Sequence, residues 1–206
     1  MKSREDALGA QAPTLAHEER QSASAVTEAF IAAFRHHPAG VAILTGDPGD
    51  GPVAVTVSSL ISVSATPPMV AFSLSESSSS ARRLLEAETI VVHFARRDDV
   101  ELAQLCATGG ASRFGPEAQW ARLSTNEPFY PQVATWFRAA IRSQMVLPGA
   151  RLVAAEILSG STALPAIARE KILVYVDRAW TGLSPNPISA VSHAALLLWP
   201  TDSAMF

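Results

Sequence analysis

Hydroxyl side chains concentrate at two places in this sequence. Residues 56–64 read TVSSLISVS and residues 75–83 read SESSSSARR. In an extended chain successive side chains alternate between faces. Thr56, Ser58, Ser62 and Ser64 then share one parity, and Val57, Ser59, Ile61 and Val63 the other. Hydroxyls buried in an apolar surrounding need partners. A flat heteroaromatic ligand with carbonyls and ring nitrogens along one edge would supply them. An edge strand with a solvated Ser/Thr face accounts for the same residues equally well. The second stretch is a serine loop entering a helix, with Ser80 as the expected N-cap. Hydroxyls, open backbone N–H groups and the positive end of a helix dipole suit an anion, phosphate above all, and Arg82 or Arg83 adds charge. A loop that merely caps the helix is the plainer alternative.

Other reactive residue types carry less. No G-x-S-x-G elbow surrounds any serine, so none reads as an activated nucleophile. His36 and His37 end a helix before Pro38, with no ligand partners nearby in sequence for a metal site. His93 alternates with apolar residues and reads as a hydrogen-bonded histidine of the sheet rather than a base. Cys106, among Leu102, Ala103 and Leu105, reads as packing. Trp120, Trp136, Trp180 and Trp199 read as core or interface residues, Trp120 also as a candidate pocket lining.

The elements that must position these residues follow from periodicity. Residues 1–24 lack a sustained pattern and read as a mobile tail. Val26, Phe30 and Phe34 predict a helix over 25–37, stopped by Pro38 and Gly40. Strands are expected over 41–45, 53–59, 61–64 and 69–74, then a short helix over 81–88 and a strand over 89–95. Asp98 and Glu101 suggest a capping box opening a helix that runs to Gly109. Residues 111–148 look irregular, and two further strands are expected near 151–158 and 171–177. Many strands with interposed short helices and no βαβ rhythm predict a mainly β chain with α additions, closing or nearly closing into a barrel. The expected division is a tail over 1–24, one domain over 25–183 and a C-terminal extension over 184–206.

Composition narrows the function classes. The chain has 206 residues, 48% hydrophobic and 17% charged, with a net charge of −3, enough for one sizeable core. Its scattered Lys and Arg residues argue against nucleic-acid binding. No apolar run approaches a membrane span, and the N-terminal residues have no secretory apolar region. A single cysteine allows no intramolecular disulfide and suits a reducing compartment, so the expected location is cytoplasmic.

Four stretches taken together resemble a known family: HPAGVAILTG, PVAVTVSSLISVSATPPMVAFSL, the serines with ARRLL, and VVHFARRDDVELA. They are similar, in order from about residue 30 to 120, to the flavin reductase-like family of FMN-binding split β-barrels. The likeness continues more weakly through 151–158 and through ILVYVDRAWTGL at 172–183. The resemblance implies that Thr56, Val57, Ser58 and Ser59 hold the isoalloxazine edge, and that Ser78, Ser79 and Ser80 bind the phosphate. It sets Leu74 and Ser75 beside the ribityl chain and Pro38 and Ala39 in a loop near the flavin. SRFG at 112–115 resembles a loop by the cofactor, with Phe114 in it and Arg113 as a phosphate partner. It further implies a homodimer with flavin sites at the subunit interface, FMN or FAD as cofactor, and NADH or NADPH as hydride donor. No catalytic side chain is implied, because the flavin carries the chemistry.

The implied activity is an NAD(P)H-dependent flavin reductase supplying reduced flavin to a partner monooxygenase. Three positions depart from the family pattern. Ala150 and Arg151 stand where many members have Asp-His, Tyr175 and Val176 where many have Tyr-His, and His93 where Asn is usual. The first two departures bear on the nicotinamide side. They leave open an FMN-dependent oxidoreductase or oxygenase acting on a small organic substrate, or a non-catalytic flavin-binding protein.

Overall fold

The computed structural model describes residues 12–161 and 172–183, with side chains from residue 24 onward. The expected C-terminal extension over 184–206 and residues 1–11 and 162–171 therefore lie outside the described residues. The described chain carries three α-helices, α1 (Ala12–Arg35), α2 (Ser79–Leu84) and α3 (Val100–Ala107). Its strands are β1 (Ala39–Gly40), β2 (Ala42–Gly46), β3 (Val53–Val57), β4 (Ile61–Ala65), β5 (Pro68–Ser75), β6 (Thr89–Phe94), β7 (Ala121–Arg122), β8 (Pro128–Phe129), β9 (Trp136–Leu147), β10 (Ala150–Gly160), β11 (Leu173–Val176) and β12 (Ala179–Gly182). No helix among the described residues is long and apolar enough to cross a membrane.

The chain divides into two compact units. The smaller contains α1, which begins at Ala12 rather than at residue 25. Ala, Glu and Gln over 12–24 are good helix formers, and Pro13 falls in the first turn, where a missing N–H costs nothing. The Phe30 and Phe34 rings lie 4.6 Å apart on this helix, as their spacing predicts.

The larger unit is built on a seven-stranded sheet in the order β3-β2-β6-β9-β10-β5-β4. Every pairing in it is antiparallel. Its two edge strands, β3 and β4, are separated in sequence only by residues 58–60. Laid flat, seven strands would hold their edges about 29 Å apart, whereas that linker spans about 14 Å at full extension. The sheet must curl until its edges meet, and it does so without a backbone ladder between them. Ser59, in that linker, fastens to β5: its Oγ accepts from Ser73 N–H at 2.9 Å and donates to Ser73 C=O at 3.0 Å, continuing the β4–β5 register. The result is a barrel left open along one seam, the split barrel expected from the sequence.

The inner faces meet in a core of Leu44, Val55, Val57, Phe72, Leu74, Leu84, Ile90, Val92 and Val153. Burying each such side chain contributes roughly 1.5–3 kcal/mol before chain entropy is subtracted. A second cluster under α3 gathers Ile43, Cys106, Tyr130, Val133 and Leu173, with Phe114 and Trp120 against it.

The segment that looked irregular contains β9, the longest strand and a central one. WFRAAIRSQMVL hides its period for two reasons. Arg138, on the strand's first half, is neutralised by the buried Glu127, and the second half is exposed throughout. A second correction concerns α3: Asp99, not Asp98, closes the turn that leads into it, its carboxylate accepting Arg96 N–H at 2.8 Å.

Candidate functional site

Each hydroxyl cluster has its own placement. Thr56 sits near the end of β3, and its Oγ1 donates to Ala103 C=O on α3 at 2.7 Å. Val57 is buried in the core opposite Ala42. The strand ends there, so Ser58 is exposed at the turn and Ser59 bonds to Ser73 of β5. The break means that the parity reading does not run continuously from Thr56 to Ser64. Ser62 and Ser64 belong to β4, at the opposite edge of the sheet order. Their registers with β5 are also shifted by a bulge.

The serine loop follows β5. Leu74 is buried and pairs in register with Arg151 of β10. Ser75 Oγ and Ser77 Oγ are 2.8 Å apart. Ser78, not Ser80, is the N-cap of α2: its Oγ accepts Ala81 N–H at 3.2 Å. Ser79 and Ser80 are the first two helical residues, so no preceding turn offers their amides a carbonyl. The shift of the cap by two residues frees the Ser80 hydroxyl, which accepts a hydrogen bond from Arg113 Nη1.

Arg113 gathers three elements around this point. It also donates to Ala54 C=O of β3 at 2.8 Å and to Thr108 C=O beyond α3 at 2.6 Å. Its Nε is shielded from solvent and has no hydrogen-bond partner. Arg82 donates to Glu76 C=O at 2.9 Å, Arg83 pairs with Asp50 at 2.6 Å, and Arg151 approaches Glu76 Oε1 at 3.4 Å. The structure thus brings Ser78, Ser79, Ser80 and Arg113 together beside β3. Glu76, inside the serine run, was overlooked in the sequence, although one acid among hydroxyls expected to meet an anion is a visible signal.

Phe114 turns away from the loop into the second core. Its ring stacks on Tyr130 with centroids 5.7 Å apart and meets the edge of Trp120 at 5.2 Å. Trp120 Nε1–H donates to Phe114 C=O at 2.8 Å, which makes this tryptophan part of the packing. Ala39 pairs with Tyr175 across β1 and β11, and Pro38 is exposed.

His93 is fully buried on β6. Burial drives its pKa down to about 4, against the opposing pull of its hydrogen bond to Ile43 C=O. Beneath Phe114, Cys106 Sγ lies 3.5 Å from Tyr130 Oη, and burial pushes the thiol up to about 11. Tyr130 Oη–H in turn donates to Arg113 C=O at 2.8 Å, and burial holds its pKa above the usual phenol value.

Two cavities lie beyond the seam. One of about 240 Å³ is bounded by Gly40, Val41, Arg96, Thr135 and Leu173. The other, of about 370 Å³, is bounded by Ile61, Ser62, Ser64, Phe137 and Ile157. Leu60 and Phe94 line both. Neither touches the serine loop. Residues 56–59 connect the two regions, because Leu60 directly follows Ser59.

Residues 34–184 match the model of the flavin reductase like domain. The NADH:FMN oxidoreductase of Rhodococcus erythropolis is 42% identical over 112 residues, covering 54% of this chain and 58% of that protein. The chain thus spans a little over half the length of that curated relative. Among solved structures, the flavin reductase domain protein from Arthrobacter sp. FB24 superposes with a TM-score of 0.72 at 28% identity, covering 80% of this chain and 99% of that one. The styrene monooxygenase flavin reductase from Pseudomonas putida S12 shares the fold at a TM-score of 0.65 and 19% identity, covering 77% of this chain and 99% of that one.

Proposed function

Because the chain belongs to the flavin reductase like domain family, we propose that it is an NAD(P)H-dependent flavin reductase of the cytoplasm, binding FMN or FAD and supplying reduced flavin to a partner monooxygenase. The observation that carries this reading is the convergence of Ser78, Ser79, Ser80 and Arg113 beside the start of β3, where Arg113 donates to Ala54 C=O. The names of the Rhodococcus and Pseudomonas proteins support it.

The residues present fit a phosphomonoester. Hydroxyls and a guanidinium are the donor set a phosphate requires, and the buried, unpartnered Nε of Arg113 leaves donor capacity there. In this reading Ser78, Ser79, Ser80 and Arg113 hold the phosphate. Leu74 and Ser75 flank the ribityl chain, and the backbone of Thr56, Val57, Ser58 and Ser59 presents N–H and C=O groups to the ring edge. Thr56 Oγ–H and Ser59 Oγ–H are spent on Ala103 and Ser73, so the backbone carries most of that contact. Ala39 and Phe114 shape the surroundings, Phe114 from its stack on Tyr130.

The chemistry that bound flavin supplies is acceptance of a hydride from a nicotinamide. The chain's task is to seat two rings in contact and exclude water between them. The 25–183 segment forms the flavin-binding domain and assembles as a homodimer. Exposed Ile61 and Phe94, which line the 370 Å³ cavity, and exposed Val63 on the same strand as Ile61 support that assembly, since apolar surface of this kind marks an interface.

The test is NADH and NADPH oxidation by the purified protein, with and without added FMN. Turnover that rises with flavin supports the reductase. Tight flavin retention without nicotinamide oxidation moves the function to direct oxidation of an organic substrate or to flavin binding alone.

A further inference from the structure

The guanidinium that meets the serine loop is carried by a loop, not by a helix or strand. Arg113 follows α3 after Gly109 and Gly110, the latter at φ +73°, a residue type that leaves the course of the chain open. Its side chain nevertheless reaches three separate points: Ser80 Oγ, Ala54 C=O at 2.8 Å and Thr108 C=O at 2.6 Å. A long side chain with many rotamers keeps such a geometry at low entropic cost only where its own backbone is held.

Tyr130 supplies that hold. It is wholly buried, its C=O accepts from Val133 N–H at 3.1 Å, and its ring lies 5.6 Å from that of His93. From this fixed position it grips two consecutive residues. The hydroxyl donates to Arg113 C=O at 2.8 Å, and the ring stacks on Phe114 at 5.7 Å with an interplanar angle of 11°. Cys106 Sγ, 3.5 Å from the same hydroxyl, is a weak acceptor that does not compete with a carbonyl. Trp120 adds another attachment, its Nε1–H donating to Phe114 C=O at 2.8 Å.

We propose that Tyr130 is the positioning residue for Arg113: its hydroxyl fixes the backbone from which the guanidinium reaches the serine loop, and so governs recognition of the ligand's phosphate without touching the ligand. The inference rests on the flavin reading above and deepens it. Of the parts of FMN, only the phosphate depends on this hydroxyl, because residues 56–59 meet the ring edge through a separate set of contacts.

Riboflavin has the ring and ribityl chain of FMN and no phosphate, so titration calorimetry of the intact protein with both flavins isolates the phosphate contact. The wild-type protein binds FMN more tightly than riboflavin. Tyr130→Phe keeps the aromatic ring for Phe114 and removes only the hydroxyl. It weakens FMN about fivefold, the worth of one hydrogen bond, and leaves riboflavin unchanged. In an Arg113→Ala background the same substitution has no further effect on FMN, because no guanidinium is left to place. Trp120→Phe, which cuts the attachment at Phe114 C=O, narrows the difference between the two flavins in the same sense. The proposal is overturned if Tyr130→Phe weakens both flavins equally, as a general loosening of the core would, if it moves neither, or if its full effect persists without Arg113. Equal wild-type affinity for riboflavin and FMN overturns the phosphate contact and this inference while leaving flavin binding intact. Failure of the wild-type protein to bind either flavin overturns the flavin reading itself.

Discussion

Tyr130 donates its backbone N–H to Nε2 of His93 at 3.0 Å. That bond makes Nε2 an acceptor, so Nδ1 carries the proton and donates it to Ile43 C=O at 3.0 Å. A single imidazole thus ties β6 to β2 on one side and to the segment after β8 on the other. Asn is usual at this position in the family, and the neutral imidazole serves here as a longer hydrogen-bonding strut. Protonation would turn Nε2 into a donor facing a donor.

A pH-dependent stability follows. His93 has a folded-state pKa of about 4, below its ordinary 6.5, so the unfolded chain takes up the proton first. The stabilisation is complete above pH 6.5 and declines as pH falls toward 4, a change of roughly 3 kcal/mol in all. Thermal melting between pH 7.5 and 4.5 should show this decline. His93→Asn should flatten it, and an equally steep decline in that variant would remove His93 as its source.

Glu127 is 4% exposed and is held by Thr89 at 2.6 Å, Arg138 at 2.7 Å and Thr125. Burial pushes its carboxyl up, and the hydrogen bonds from Thr125, Thr89 and Arg138 together bring it below the usual value. Glu127→Ala strands Arg138 and should cost roughly 3 kcal/mol in chemical denaturation. A loss under 1 kcal/mol would show that water reaches Arg138 freely.

Arg113→Ala removes the link among Ser80, Ala54 and Thr108. FMN affinity should fall about tenfold or more, since a charge-assisted bond contributes about 1.5–3 kcal/mol. The salt dependence of binding should weaken in parallel. Unchanged affinity would place the phosphate elsewhere.

Ser59→Ala releases the linker between β3 and β4 from β5. The site is partly exposed, so water replaces the lost bonds and the cost should be only about 1 kcal/mol. Hydrogen exchange at the Ser73 amide should accelerate while β9 and β10 remain protected. Global acceleration would show that the linker's hold on β5 governs the whole barrel.

Cys106 is buried, and that burial raises its thiol pKa to about 11. Native protein at pH 8 should therefore resist iodoacetamide and react at the rate of unfolding. Rapid labelling without unfolding would contradict the packing of Cys106 under Tyr130.

The sequence by itself determined the strands with clean periods, the hydroxyl clusters and their order, because burial on one face imposes alternation wherever the opposite face is wet. It also showed the family likeness, since the TVSS and serine stretches are local in the chain. Three features waited for the tertiary structure. Strand β9 has no period of its own, because Arg138 is made tolerable by Glu127 on another segment. The cap of α2 is Ser78 and not Ser80, and the Ser80 hydroxyl so left free is taken by Arg113, 33 residues further on. The seam between β3 and β4 exists only because two edge strands distant in sheet order are neighbours in sequence. Each depends on a contact between residues far apart in one of those two orders, and local spacing carries no record of such contacts.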